Sequence, residues 1–326
     1  MRRVLIIADR PGWAFSRRAD AIQRYAPPGW QVTIDYIMDR ELSSIVYENH
    51  DLVFLLGPHR ARAMREVFKR QQIDVPLVVS HNSGIGRRDY SIFEVLAAAD
   101  FTIVNNYGAW AHYRMGVKDY RACNISNGVD TSLFKETVPL IERPMRVLWV
   151  GSQSKAEDEF DVKGYTLILK QLERIMPRNG FDVDFRVIEP DGFMTDDQMV
   201  EFYNSGRLVI CTSSSEGTPN ILLEGAACGA AIMSTPVGNV PELVTHGVNG
   251  FVVQRYDTLG FWNEIQYQQN NFVRVAEAMK PTIAKWDWSR RSKWFYALFA
   301  AIIEDGPEGV EPFTYLKVAP EEIHVD

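Results

Sequence analysis

Ten short apolar runs, separated by amphipathic stretches, constrain this chain more than any other feature. RVLIIAD (3–9), QVTIDYI (31–37), DLVFLLG (51–57), PLVVS (76–80) and FTIVNN (101–106) form a first set. RVLWVGS (146–152), VDFRVIE (183–189), RLVICTS (207–213), AAIMST (230–235) and GFVV (250–253) form a second. Runs of this length suit strands, and their continuous apolar character suits strands buried on both faces. Helical periodicity fills the intervals at 59–71, 90–99, 163–176, 196–204 and 219–228. Such alternation predicts parallel sheets covered by helices on both sides. The pattern restarts near residue 145, after the polar, proline-bearing KETVPLIERP (135–144). The expectation is an α/β chain with two Rossmann-like domains, residues 1–140 and 141–285, followed by a helix and tail over 286–326. The segment 286–306 reads as one long aromatic-rich amphipathic helix. It either crosses back to the first domain or leaves the tail free.

Charge and cysteine usage narrow the function. Residues 1–140 carry 18 Lys and Arg against 15 Asp and Glu, and the rest carry 17 against 27, within a net charge of −7. No sustained basic field exists, so nucleic acid is not an expected partner. Cys123, Cys211 and Cys228 are odd in number and widely spaced, which argues against a disulfide framework and for a reducing compartment. No apolar run approaches the ~20 residues of a membrane span. MRRVLIIADRPGW reads as a strand, not a signal peptide, and a cytoplasmic location is expected.

In doubly wound sheets ligands bind beyond the carboxyl ends of the strands. SSSEGTP (213–219) stands in that position after RLVIC, GSQSKAEDEFDVKG (151–164) after RVLWV, and HNSGIGRRD (81–89) after PLVVS. Thr218 and Pro219 read as the N-cap and first residue of a helix, whose free amide groups suit a diphosphate. Glu224 then falls on a helix with no polar face, where an ionised carboxylate costs several kcal/mol unless something pairs with it. A partner inside the protein, such as an arginine, or a hydroxylated ligand would satisfy it. Glu216 lies in the loop before that helix.

The stretch EGTPNILLEGAACGAAIMSTPVGNVPELVTHGVNGFVV (216–253) resembles the C-terminal signature of retaining GT-B glycosyltransferases of family four, with two Glu residues separated by seven. ISNGVDTSLF (125–134) and DVKGYTLIL (161–169) resemble two further segments of that family. The resemblance implies a GT-B architecture, with two Rossmann-like domains facing a central cleft. It also implies transfer of a sugar, with retention and without metal, from a nucleotide diphosphate donor to an acceptor hydroxyl. At matching positions it gives Glu216 the hydroxyls of the transferred sugar and Glu224 the ribose. It brings the backbone at Gly217, Thr218 and Asn220 to the donor and sets Lys163 against the leaving diphosphate. His81 resembles the family's histidine near the attacking hydroxyl. Ser152 stands where the family has an arginine, and Lys155 is a candidate to supply the missing charge. Arg87 and Arg88 are candidates to hold the acceptor or another anionic group.

Other motifs point elsewhere only weakly. SGIGRR (83–88) lacks the third glycine of a dinucleotide fingerprint, and DVD (182–184) reads as a solvated strand start. No spacing suggests a metal site, and no cofactor is expected beyond the nucleotide-sugar co-substrate. The acceptor is open, with a glycan or lipid-linked molecule among the candidates. Residues 60–70 form a helix with a basic stripe that would either be solvated or rest on anionic lipid at the inner membrane face. A sugar-nucleotide-binding protein without activity and a sugar-nucleotide epimerase are the rival readings.

Overall fold

The computed structural model describes residues 1–38, 40–82, 92–116, 121–152, 161–188, 192 and 194–311. Contacts divide the chain into two units: Met1–Asn127 together with the segment from Trp288, and Gly128–Asp287.

The first unit is built on a six-stranded parallel sheet: β1 (Arg2–Ala8), β2 (Trp30–Tyr36), β3 (Leu52–Leu55), β4 (Leu77–His81), β5 (Phe101–Val104) and β6 (Ala122–Asn124). Their spatial order is β2-β1-β3-β4-β5-β6. The central strands β3, β4 and β5 are buried at every position, whereas the edge strand β2 is largely half-exposed. Continuous apolar runs therefore occupy the positions covered on both faces. Helices α1 (Ala14–Arg24), α2 (Ala61–Gln71), α3 (Ile92–Ala98) and α4 (Tyr107–Gly116) connect the strands.

On α2, Met64 and Phe68 are buried as the periodicity predicts. Its basic stripe is partly neutralised from within the protein. Arg65 donates to the Ala98 carbonyl at 2.6 Å and pairs with Asp100 at 2.7 Å, while Lys69 pairs with Glu66. Arg60, Arg62 and Arg70 stay exposed.

The second unit holds a five-stranded parallel sheet of β7 (Arg146–Ser152), β8 (Asp182–Ile188), β9 (Leu208–Cys211), β10 (Ala231–Ser234) and β11 (Phe251–Val252). Their order is β11-β10-β9-β7-β8. Its helices are α5 (Lys170–Ile175), α6 (Asp196–Asn204), α7 (Asn220–Ala227), α8 (Val240–Leu243), α9 (Thr258–Gln268) and α10 (Phe272–Lys285). Trp149, Ile168, Leu172, Ile210, Met233 and Phe251 lie in its core. Asp182 and Asp184, the DVD carboxylates, form ion pairs with Arg146 and Arg186 at the edge of the sheet.

Residues 128–140 lie with this unit. Val129 bridges to Asp287, and Thr131 bonds Asp287 Oδ2 through its amide at 3.0 Å and its hydroxyl at 2.6 Å. The last helix, α11 (Trp288–Asp305), belongs to the first unit. There Tyr296 donates to the Ile22 carbonyl at 2.6 Å and meets Trp30 edge-on. No helix among the described residues is long and apolar enough to cross a membrane.

Both sheets have a point where the strand order reverses, between β1 and β3 in the first unit and between β7 and β9 in the second. In sheets of this kind ligands bind at such a point, by the loops that follow the carboxyl ends of the two strands. In the second unit these are the loops that carry Lys163 and Glu216.

Candidate functional site

The loop from β9 to α7 is held in place by its own small polar residues. Thr212 Oγ1 donates to the Lys163 carbonyl at 2.6 Å, and Thr235 Oγ1 donates to the Ser213 carbonyl at 2.5 Å. Ser213 Oγ donates to Glu216 Oε1 at 2.7 Å. The Asn239 amide reaches the Gly217 carbonyl at 3.1 Å. Gly238 adopts a φ of +54°, and a Cβ there would collide with the same carbonyl. Glycine alone permits that approach.

Lys163 follows β7, the strand beside β9. Asp161 turns the chain with a φ of 45°, and its carboxylate accepts from the amides of Thr166 at 3.1 Å and Leu167 at 2.8 Å. It thereby satisfies amide groups that the helix leaves open at its start. Gly164, at φ +67°, packs so closely on the Thr212 carbonyl that no Cβ fits. The chain then enters a π-helical turn, Tyr165–Leu169, that continues into α5. The result places Lys163 Nζ in a direct ion pair with Glu216 Oε1, both side chains being about four-fifths buried (23% and 16% exposed). The cation expected to face an anionic ligand at a helix start thus has a carboxylate of the protein beside it.

The helix after this loop starts one residue later than its sequence suggests. Pro219 occupies the cap with a ψ of 90°, no side chain caps α7, and Asn220 is the first helical residue. Proline has no amide to offer, so the amide groups at the start of α7 begin at Asn220. Thr218 is half-buried and Gly217 buried.

Glu224 lies on α7 and is half-buried. Its Oε2 accepts a hydrogen bond of 2.7 Å from the hydroxyl of Tyr203, on α6. The internal partner that helix periodicity demanded includes a tyrosine that no motif marked. A buried arginine, Arg143, fixes the two helices relative to each other. Its Nη1 donates to the carbonyls of Tyr203 (3.0 Å) and Gly206 (3.3 Å), and its Nη2 to Asn204 Oδ1 (2.9 Å) and the Cys228 carbonyl (2.6 Å). Those groups end α6 and α7, where the helix dipoles favour a cation. Burial draws the Arg143 pKa down, against the attraction of Glu136.

Ser152, in the position where an arginine was expected, is exposed at the end of β7. Lys155, Arg87 and Arg88 lie outside the described residues. His81 ends β4 in the first unit and is 2% exposed. Burial alone depresses its pKa from 6.5 to about 4, so the imidazole is neutral at neutral pH. Among the described residues no group of three His, Cys, Asp or Glu side chains could hold a metal ion. The three cysteines are buried and form no disulfide with one another.

The structure therefore brings together Glu216, Lys163, Gly217 and Thr218, with Glu224 on α7, the helix that follows this loop. Sequence reasoning missed Ser213 and Tyr203. Ser213 carried a local signal, three residues before Glu216; Tyr203 is 21 residues from Glu224 and carried none.

Residues 126–271 match the family profile described as Glycosyl transferases group 1. The N-acetyl-alpha-D-glucosaminyl L-malate synthase of Bacillus anthracis is 34% identical over 64 residues, 20% of this chain and 17% of that protein. A D-inositol 3-phosphate glycosyltransferase of Corynebacterium urealyticum is 23% identical over 190 residues, 55% of this chain and 42% of that protein. The matches to these curated relatives thus span less than half of their length. Among solved structures, Anabaena HepE in complex with UDP-glucose superposes with a TM-score of 0.70 at 15% identity, covering 92% of this chain and 100% of that one. Sucrose-phosphate synthase from Thermosynechococcus elongatus gives 0.66 at 14% identity, with 92% and 100% covered. The chain accordingly has the GT-B fold, and residues 126–271 match the glycosyl transferases group 1 domain, which supports a glycosyltransferase.

Proposed function

We propose that this protein transfers a sugar from a nucleotide diphosphate donor to an acceptor hydroxyl, with retention of configuration and without a metal ion. The observation that carries the reading is the pairing of Lys163 with Glu216 at the strand-order reversal of the second sheet, beside the amino-terminal end of α7. A cation and helix amides together suit a departing diphosphate, and a carboxylate next to them suits the hydroxyls of the sugar. Glu224, on the helix that follows, reads the ribose. Gly217, Thr218 and Asn220 form the backbone of the donor site. His81, neutral in its buried position, stands near the attacking hydroxyl as acceptor of a hydrogen bond. The solved neighbour that holds UDP-glucose supports a uridine nucleotide as the first donor to try.

Catalysis in this reading rests on positioning and on charge stabilisation of the leaving group. The test is incubation with a panel of UDP-, GDP- and TDP-sugars, with and without EDTA, followed by analysis of the anomeric configuration of the product. Retained configuration and activity in EDTA are expected. Loss of activity on chelation, restored by manganese, would overturn the metal-free part. Nucleotide-sugar binding without turnover would favour a non-catalytic binding protein, and a changed sugar on the nucleotide would favour an epimerase. Contact of α2 with anionic lipid through Arg60, Arg62 and Arg70 is a lesser part of the reading. Co-sedimentation with anionic and neutral vesicles at low and high salt tests it.

A further inference from the structure

Arg18, on α1, is 2% exposed, and among the described residues no carboxylate pairs with it. Its guanidinium lies over the rings of Phe54 (5.6 Å) and Phe295 (5.2 Å). Among the described residues only Nη1 is hydrogen-bonded, to Ser80 Oγ at 2.7 Å and Asn82 Oδ1 at 2.6 Å. Nε and Nη2 are buried without a hydrogen bond among the described residues. Burying a cation in this way is unfavourable, and an apolar side chain of similar length would fit the two aromatic rings at lower cost.

The bonds it makes are informative. Ser80 and Asn82 flank His81, and they also bond each other at 2.7 Å. Asn82 Nδ2 donates onward to the Leu56 carbonyl at 2.8 Å, just beyond β3. Alternate residues of a strand face the same side, so the side chains on either side of His81 meet Arg18 while His81 is directed to the opposite face. A grip on both neighbours sets the roll and height of the strand end, and therefore the direction of the imidazole.

We propose that Arg18 is the positioning residue for His81, acting through Ser80 and Asn82 to fix the carboxyl end of β4. The proposal rests on the reading that His81 stands near the attacking hydroxyl. It gives a role to a buried cation that has no counter-ion among the described residues: its worth lies in the geometry of the strand end, not in stability.

The test uses the full chain, with Arg18→Met, Arg18→Lys, His81→Asn and the Arg18→Met/His81→Asn pair. Imidazole signals are followed by NMR across pH, with that of His81 assigned by its loss in His81→Asn, and turnover is measured with UDP-glucose as donor probe. Arg18→Met is expected to keep or raise the urea midpoint and to move the His81 titration upward from about 4 toward 6.5 as the ring gains access to water. It should lower turnover about ten-fold or more, the order of effect of a small misplacement. In the His81→Asn background the same change should cost little more. Arg18→Lys, which keeps a donor but not the fork, should fall between, and it carries the comparison if Arg18→Met does not fold. An unchanged His81 signal and titration in the Arg18 variants would overturn the proposal, as would equal losses in both backgrounds. Full turnover in His81→Asn would instead remove the functional reading of His81, leaving the NMR result to decide whether Arg18 orients the ring.

Discussion

The Tyr203 hydroxyl donates to Glu224 Oε2 at 2.7 Å, joining α6 to α7. Tyr203 is fully buried, so its hydroxyl depends on this acceptor. Removing the carboxylate therefore does more than relieve a charge. Glu224→Leu is expected to destabilise the protein by about 1–3 kcal/mol, the cost of a buried donor left without its partner. Tyr203→Phe combined with Glu224→Leu should recover most of that loss. Urea midpoints of the two single variants and the pair check this, and equal stability of Glu224→Leu and the pair would mean that the Tyr203 hydroxyl costs nothing once this acceptor is removed. In the proposed function, Glu224→Leu also weakens nucleotide binding.

Lys163 and Glu216 form one ion pair but are expected to fail differently. In the proposed function Lys163 faces the leaving diphosphate, and Lys163→Ala should then cost about 1.5–3 kcal/mol of transition-state stabilisation, roughly ten- to a hundred-fold in turnover. Glu216→Gln keeps the shape of the loop and the Ser213 contact, so nucleotide binding should change little while transfer falls sharply. Steady-state kinetics with isothermal titration of the nucleotide separates the two. Unchanged turnover in Glu216→Gln would remove that residue from the site.

Much of this architecture was legible because it depends on local pattern. Continuous apolar runs marked the buried central strands, and the periodicity of 196–204 gave the limits of α6. The loop containing Glu216 was legible for the same reason, since strand, turn and helix follow one another within a few residues. Pairings between distant elements were not. Nothing near Glu224 announces Tyr203, and nothing in the arginine pair Arg17–Arg18 distinguishes a solvated cation from one buried on Ser80 and Asn82. Helix periodicity shows that a charge needs a partner, but only the packing of one element on another supplies it. The start of α7 was misjudged by one residue because proline is compatible both with the cap and with the first turn.

Gly164 offers a test of backbone geometry that leaves every charged group in place. Its φ of +67° already disfavours any other residue, and a Cβ would meet the Thr212 carbonyl. Gly164→Ala should destabilise the second unit by about 1–3 kcal/mol, the range for backbone held in such a region. It should also displace Lys163 from Glu216 and weaken nucleotide binding. Thermal unfolding and nucleotide titration report the two effects. A variant that melts and binds like the parent would show that the turn has room to relax.

The last expectation concerns pH. Burial holds the His81 pKa at about 4, against 6.5 for an exposed histidine, so the folded protein keeps this ring neutral where the unfolded chain protonates it. With the folded value depressed, the unfolded state binds more protons between those two values, and stability falls as pH drops through that window. The contribution is fully present above about pH 6.5 and is lost on descending toward pH 4. A shift of this size corresponds to roughly 3 kcal/mol. His81→Asn cannot take up a proton, so its stability should decline less steeply over the same range. Urea unfolding of both proteins at intervals from pH 7.5 to 4 measures the difference, because every other titrating group is common to the two. Parallel curves would mean that the buried ring exchanges its proton as readily in the folded protein as in the unfolded chain, and the neutral role assigned to His81 would fall with that result.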